Sequence, residues 1–336
     1  MDRKPEVLIA SAVLVLSCLA IEIKAAVNTQ SPNDITDKAA AVLWREPVDI
    51  ASRNLFYGPG GKAHLPTGTF TFQEEDMAGT SPKFDVIDGD GVKWRVKMGD
   101  EARPETVASR FVWAVGYFAN EDYLMPVLHV EHMPHLRRGR NLVSPDNTVH
   151  DVRLKRHASD QKKIGSWSWS KNPFTGTREW YGLRVLMAVM NNWDLKNINN
   201  SIYQTRDEPA EDRYIVSDLG ASFGPTGLNW ASKGKPAAYW HSKWIKSISA
   251  EFVDFNVPSG PAMNFYFNVY ELQQRLGLLW LGHHIPRKDA RWMGDLLARL
   301  SPQQIRDAFR AGGYPADEAE PPSTVLERRI GELKRP

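Results

Sequence analysis

Between Thr69 and Met98 the apolar positions keep a period of two. Phe70 and Phe72 alternate with polar neighbours, Phe84, Val86 and Ile87 follow, and Val92, Trp94 and Val96 interleave with Lys93, Arg95 and Lys97. That spacing puts the apolar side chains on one face of a pleated strand, so it predicts three consecutive antiparallel strands. Asp88-Gly89-Asp90-Gly91 joins the last two as a hairpin turn, because its glycines accept positive φ. At Pro104 the period changes. Val107, Phe111, Ala114 and Val115 form one apolar helical face that ends at Gly116, and Pro104 opens the helix where a missing N–H costs nothing. Strand patterns return at Tyr123 to Val130 and Val149 to Leu154. Trp180 to Met190 is apolar nearly all round, which predicts a helix buried on every side.

Asp34 to Trp44 reads as a short helix ended by Pro47, and further helices are expected over Tyr270 to Leu281 and Lys288 to Leu300. Another runs from a Ser301 cap through Pro302 to Arg310, and a last one from Thr324 to Leu333, with Ala316 to Pro322 as an acidic, Pro-rich link between them. The fold class is therefore α+β with two lobes. An N-terminal segment and small antiparallel-sheet lobe with one helix occupy residues 27–155, and a larger, mainly helical lobe occupies 156–336.

The first residues read differently. Asp2, Arg3 and Lys4 precede an apolar run from Val7 to Ile21, followed by the small residues Ala25 and Ala26. The run is shorter than the ~20 residues that span a bilayer and suits an export signal over residues 1–26. Val15-Leu16-Ser17-Cys18 resembles a lipobox, so cleavage falls either before an acylated Cys18 or after Ala25 or Ala26. The expected location is the periplasm, or a membrane reached through that lipid anchor. Cys18 is the only cysteine, which excludes disulfides, thiolate zinc sites and cysteine nucleophiles from the body of the chain. With 42 Lys plus Arg against 40 Asp plus Glu the net charge is +2, so no uniform field draws the protein onto nucleic acid, and no nucleic-acid partner is expected.

The chemistry concentrates after the buried helix. Trp193-Asp194-Leu195-Lys196-Asn197-Ile198-Asn199-Asn200 is a polar loop, followed by a short strand at Ser201 to Tyr203, a polar turn from Arg206 to Asp212, a strand at Tyr214 to Val216, and Ser217-Asp218-Leu219-Gly220. This series resembles the catalytic core of the protein-kinase-like superfamily, with Asp-x-x-x-x-Asn at Asp194 and Asn199 and a metal-binding turn at Asp218-Leu219-Gly220. The resemblance implies ATP and Mg²⁺ or Mn²⁺ as cofactors and phosphoryl transfer to an acceptor that the sequence does not name. It makes Asp194 the base-like residue, Lys196 a phosphate-facing cation, and Asn199 and Asp218 the metal ligands. It also makes Lys97, at the end of the third strand, the phosphate-contacting lysine. Its partner is Glu105 on the next helix, with Glu101 competing for that place.

The covering loop between the first two strands is then Met77 to Pro82, where Gly79 permits close backbone approach and the Thr80 and Ser81 hydroxyls are donors to phosphate oxygens. Its few glycines, the Asn192-Trp193 pair before Asp194 and the lack of Ala-Pro-Glu after Gly220 are closer to atypical members of the superfamily: HipA-type, phosphatidylinositol and secretory-pathway kinases. Tyr57-Gly58-Pro59-Gly60-Gly61 is a second glycine-rich stretch, read as a plain turn. Two other functions compete. One is a nucleotide-binding pseudokinase with a scaffolding role. The other is a carbohydrate-active hydrolase using Glu179 with Asp194 as its carboxylate pair and Trp167, Trp169 and Trp180 as a sugar-stacking groove.

Overall fold

Five strands close into a barrel in the computed structural model, which describes residues 39–192, 194–224, 239–240, 242–256, 273 and 276–334. They are β2 (Phe70–Asp76), β3 (Lys83–Ile87), β4 (Lys93–Lys97), β5 (Asp122–Glu131) and β6 (Thr148–Arg156), in the order β2-β3-β4-β6-β5. The expected export segment with Cys18, the start of the helix expected at Asp34, Trp193, and residues 270–272, 274 and 275 of the helix expected over Tyr270 to Leu281 lie outside the described residues, while the end of that last span is corrected to a turn and a 3-10 helix at Leu279–Gly282. Antiparallel pairing accounts for all the contacts but one. A short parallel pairing of Phe70 with Val130 and Thr71 with Glu131 closes the barrel and removes its edges. Its interior holds Phe84, Val86, Trp94, Val96, Val130, Val152 and Leu154. The N–H of Trp94 is satisfied by Asp88 Oδ2 at 2.8 Å.

Helix α1 (Ala102–Ala114) was expected to belong with the strands. It packs on β5 and β6, and its Glu105 bonds to Lys97 and Arg153 of the strands, while its Val107, Ala108, Phe111 and Val112 share one apolar core with Trp180 to Met190 and the C-terminal helices, and the barrel keeps a core of its own. The reason is in the spacing, because the barrel interior is already filled by strand residues and leaves no inward place for a helix face.

Helix α2 (Arg178–Val189) is capped by the Thr177 hydroxyl, which accepts from Trp180 N–H. Beyond it lies a second sheet in the order β1-β9-β8-β7, from β1 (Ala40–Val42), β7 (Gln161–Gly165), β8 (Asn200–Thr205) and β9 (Glu211–Val216). Here the helix expected to reach Trp44 is corrected. Ala40, Ala41 and Val42 pair in parallel with Glu211, Asp212 and Arg213. So short a run is a marginal helix in water, and the open edge of β9 offers backbone partners that outweigh its propensity. A third sheet, unanticipated, joins β10 (Ile245–Ile248), β11 (Phe252–Phe255) and β12 (Ile285–Pro286).

Three helices follow: α3 (Arg287–Leu297), α4 (Pro302–Ala311) and α5 (Ala316–Leu333). Ser301 and Gln304 form the full capping box at the start of α4. The acidic segment at Ala316 to Pro322 is helix and not a link. Asp317 and Glu318 favour the N-terminal dipole, and Ala319, Pro322 and Ser323 pack inward. Arg329 of α5 is fully buried and donates to Val189 O at 2.8 Å, with its guanidinium 4.2 Å from the Tyr239 ring. This ties α5 to the last turn of α2, directly ahead of the polar loop that carries Asp194. Among the described residues no helix is long and apolar enough to cross a membrane.

Candidate functional site

The end of α2 is built to hold two loops at once. Asn191 takes the left-handed conformation (φ 58°) and donates through Nδ2 to Gly224 O, while Phe223 N–H donates to Met190 O at 2.7 Å. Asparagine tolerates that conformation better than other residues with a Cβ. The loop then closes on itself. Asp194 N–H donates to Asn192 Oδ1 at 3.1 Å, and Asn199 Nδ2 donates to Asp194 O at 2.9 Å. The backbone N–H groups of Ser217 and Asp218 both donate to Asn199 O, at 2.8 and 3.2 Å. Asp194, Asn199 and Asp218 are thereby fixed in one hydrogen-bonded frame.

Lys97 reaches that frame from the barrel. Its Nζ lies 2.9 Å from Glu101, 2.9 Å from Glu105 and 3.2 Å from Asp218, so both expected partners are engaged, together with a carboxylate 121 residues away. Arg153 supports Glu105 at 2.8 Å and Asp122 at 3.4 Å. Burial works to lower the Lys97 pKa, but the charges of Glu105, Asp218 and Glu101 outweigh it and hold the ammonium above its ordinary value. For Asp218, burial works upward, and Lys97 overrides it to hold the carboxyl below the usual range. Four carboxylates face two cations here. Asp218, with 39% of its side chain exposed, carries that excess of negative charge into the open cleft.

The loop after β2 is fastened from two sides. Asp76 Oδ1 accepts from Ala78 N–H at 2.8 Å, and Arg138 donates to Met77 O at 3.1 Å and to Thr80 O. Gly79 has φ 69°, the left-handed conformation that suits glycine. The Ser81 hydroxyl already donates to Glu101 Oε2 at 2.8 Å, so it joins the loop to the Lys97 cluster. Of Tyr57 to Gly61 only Pro59 lines this cleft. Gly58 and Gly60 lie against Arg110 and Tyr123, where a Cβ at Gly58 would stand 2.2 Å from Arg110 Nη1 and one at Gly60 2.3 Å from the Tyr123 hydroxyl.

A cavity of about 930 Å³ gathers these parts: Gly79, Thr80, Ser81, Lys97 and Glu105 on one side, Asp194, Lys196, Asn199 and Asp218 on the other. Lys196 Nζ lies 3.4 Å from Asp194 Oδ1. The carboxylate pair expected for a hydrolase is corrected. Glu179 sits in the first turn of α2 and Asp194 lies beyond its other end, so the helix rise of ~1.5 Å per residue separates them by roughly 15 Å or more. That exceeds the spacing that glycoside hydrolysis needs. Trp167, Trp169 and Trp180 are buried in the core and line no groove.

The sequence gives no sign of Asp122 or of Asn120, whose Nδ2 donates to Ser217 O at 3.2 Å, and it suggests for Arg153 a solvated basic surface, where the structure buries it against Glu105 and Asp122. Only the β4–β6 register, which sets Lys97 opposite Arg153, reveals that role. Asn120, in a loop, gives no such signal.

The oxygens also suit a divalent cation. Asn199 spends its Nδ2 on Asp194 O, which leaves Oδ1 to coordinate, and Asp218 Oδ2 has no hydrogen-bond partner among the described residues. Among those residues no group of three or more His, Cys, Asp or Glu could hold a metal by itself.

A second carboxylate, Asp85, sets the acid stability of the cleft wall. It is fully buried and is bonded by Arg95 and Lys93. Burial pushes its pKa up, but His157, whose Nε2 lies 3.8 Å away, and the close contacts of Arg95 and Lys93 hold it far below the ordinary carboxylate value. A depressed carboxyl contributes stability that is present above its unfolded pKa of ~3.9 and is lost as pH falls toward its folded value. The melting temperature is therefore expected to fall steeply below about pH 4, with a shallower fall in Asp85→Asn, measured by thermal denaturation across pH. Parallel acid limbs in the two proteins would remove Asp85 from this role.

No family model matches the sequence, and a search of curated proteins finds no match. Among solved structures the chain is similar to the Helicobacter pylori proinflammatory kinase CtkA, at 12% identity and a TM-score of 0.41, over 80% of this chain and 97% of that one. It is also similar to the golgi casein kinase, at 12% identity and a TM-score of 0.36, over 80% of this chain and 70% of that one.

Proposed function

We propose that this protein is a metal-dependent phosphotransferase of atypical kinase type, which grips a nucleoside triphosphate between the barrel and the helical body. ATP is the nucleotide that the sequence resemblance implies. One observation carries the reading: Lys97 bonds at once to Glu105 on the helix after its strand and to Asp218 on the turn after the β8–β9 hairpin, inside a cavity that Asp194 and Asn199 also line. Phosphoryl transfer needs such an assembly, because its catalysis is positioning and charge neutralisation.

Lys97 would contact the nucleotide phosphates, with Glu105 and Arg153 fixing its ammonium in place. A cation between Asn199 Oδ1 and Asp218 would bridge phosphate oxygens and neutralise the charge that develops on them. Asp194 would accept the proton of the acceptor hydroxyl as that oxygen bonds to the terminal phosphorus and the bridging P–O bond breaks, releasing the nucleoside diphosphate. Lys196, beside Asp194, would face the transferred phosphate.

The test combines thermal shift with ATP and Mn²⁺ and an assay for release or transfer of the terminal phosphate. A metal-dependent rise in melting temperature with turnover is the expected result. A rise without turnover would favour the pseudokinase reading, and no rise with any purine triphosphate and metal would sink both.

A further inference from the structure

The barrel strands face the cavity only with charge. From β2, β3 and β4 its lining takes Asp76, Lys83, Arg95 and Lys97, while the opposite wall offers Ile198, Ser201 and Ile215. Arg95 lies two residues before Lys97 on the same strand face, ~6 to 7 Å along it, and so lines the part of the cavity beyond the phosphate-contacting lysine. Its edge is largely spent. Nε and Nη2 donate to Asp85 at 2.7 and 3.1 Å, and Nη1 lies 2.8 Å from Asp76. What two carboxylates hold in this way is a fixed plane, and a guanidinium plane stacks on aromatic rings.

The residue opposite Arg95 across the β4–β6 pairing is Lys155, which lines the same cavity. It is half-buried and makes no hydrogen bond or ion pair among the described residues. Burial and the charge of Arg153 lower its pKa, so its surroundings do not satisfy this ammonium. An ammonium is a donor with no acceptor of its own. It therefore prefers a ring edge that carries only acceptors. Guanine presents O6 and N7 as such an edge, whereas adenine sets an amino donor beside N7.

We infer that this end of the cleft is selective for oxo-purine nucleotides: the base stacks on the plane of Arg95 and Lys155 donates to its carbonyl edge. The inference rests on the reading of the cleft as a nucleoside-triphosphate site and names the base that this site takes. Arg95 and Lys155 set specificity and have no part in the transfer itself.

Calorimetric titration of the full chain in Mn²⁺ with GTP, ATP and tripolyphosphate tests it. Wild type is expected to bind GTP about 10-fold or more tightly than ATP, the usual worth of a well-placed base-edge contact. Lys155→Met should remove that preference by weakening GTP alone. Arg95→Lys, which keeps charge but not the plane, should weaken both purines and spare tripolyphosphate. Equal or tighter binding of ATP by wild type would overturn the inference without the help of any variant. Loss of tripolyphosphate binding in Lys155→Met, in step with GTP, would also overturn it, by making Lys155 a phosphate ligand. If wild type binds none of the three, the nucleotide reading fails and this inference fails with it.

Discussion

Asp194→Asn should lower phosphoryl transfer by roughly 10²- to 10⁴-fold, the usual worth of a positioned acid or base, and leave nucleotide binding nearly intact. Asp194 lines the cavity beside Lys196, 3.4 Å from its Nζ, whereas Asp218 bonds to Lys97. On the proposed reading it serves the acceptor. Asp218→Asn should fail differently. It removes a carboxylate bonded to Lys97 and turned to the open cleft, so metal-dependent nucleotide binding should weaken along with turnover. Both variants should stay folded, since each side chain is solvent-reachable and its loss creates no cavity. The Asp194–Lys196 pair itself contributes no more than about 1 kcal/mol. Titration calorimetry and a turnover assay on the same preparations separate the roles. Equal loss of binding in both variants would remove the division of labour between them.

Glu105→Ala should be the most destabilising single change in the cleft, costing about 3 to 5 kcal/mol of unfolding free energy. Glu105 is buried between two cations, Lys97 at 2.9 Å and Arg153 at 2.8 Å. Its removal leaves both with fewer partners in a place where water cannot replace it. Lys97→Met should cost less, because Arg153 still pairs with Glu105 and with Asp122. The double variant should cost less than the sum of the two, since the interaction can be lost only once. Denaturant unfolding measures all three. Additive losses, or a Glu105→Ala cost below about 1 kcal/mol, would reduce the pair to an ordinary surface ion pair.

What was legible in the sequence follows from how local each determinant is. The three hairpin strands, α2 and the Ser301-capped α4 were readable because the period-two pattern, the all-apolar run and the Ser-Pro start act within one element. That Asp194, Asn199 and Asp218 come together was readable because short loops and one hairpin hold them at fixed offsets. β1 was misread, since only the distant edge of β9 makes three small residues a strand. The link at Ala316 to Pro322 was misread because its prolines suggested a break, whereas burial of Ala319 and Pro322 against the core sustains the helix. The ionic wall of Asp76, Asp85, Arg95 and Lys155 was invisible for the same reason as β1. Its members come from four strands, and only the barrel register brings them together.

The central claim is that Lys97, Asn199 and Asp218 grip one metal–nucleotide complex. A crystal structure of the wild-type chain grown with Mn²⁺ and a non-hydrolysable purine triphosphate, with Mn²⁺ located by its anomalous signal, tests it most directly. The account predicts one Mn²⁺ peak bounded by Asn199 Oδ1, Asp218 and the nucleotide phosphates, with Lys97 Nζ on a phosphate oxygen. Nucleotide phosphates ordered elsewhere in the cavity, or Mn²⁺ bound away from Asp218, would contradict it.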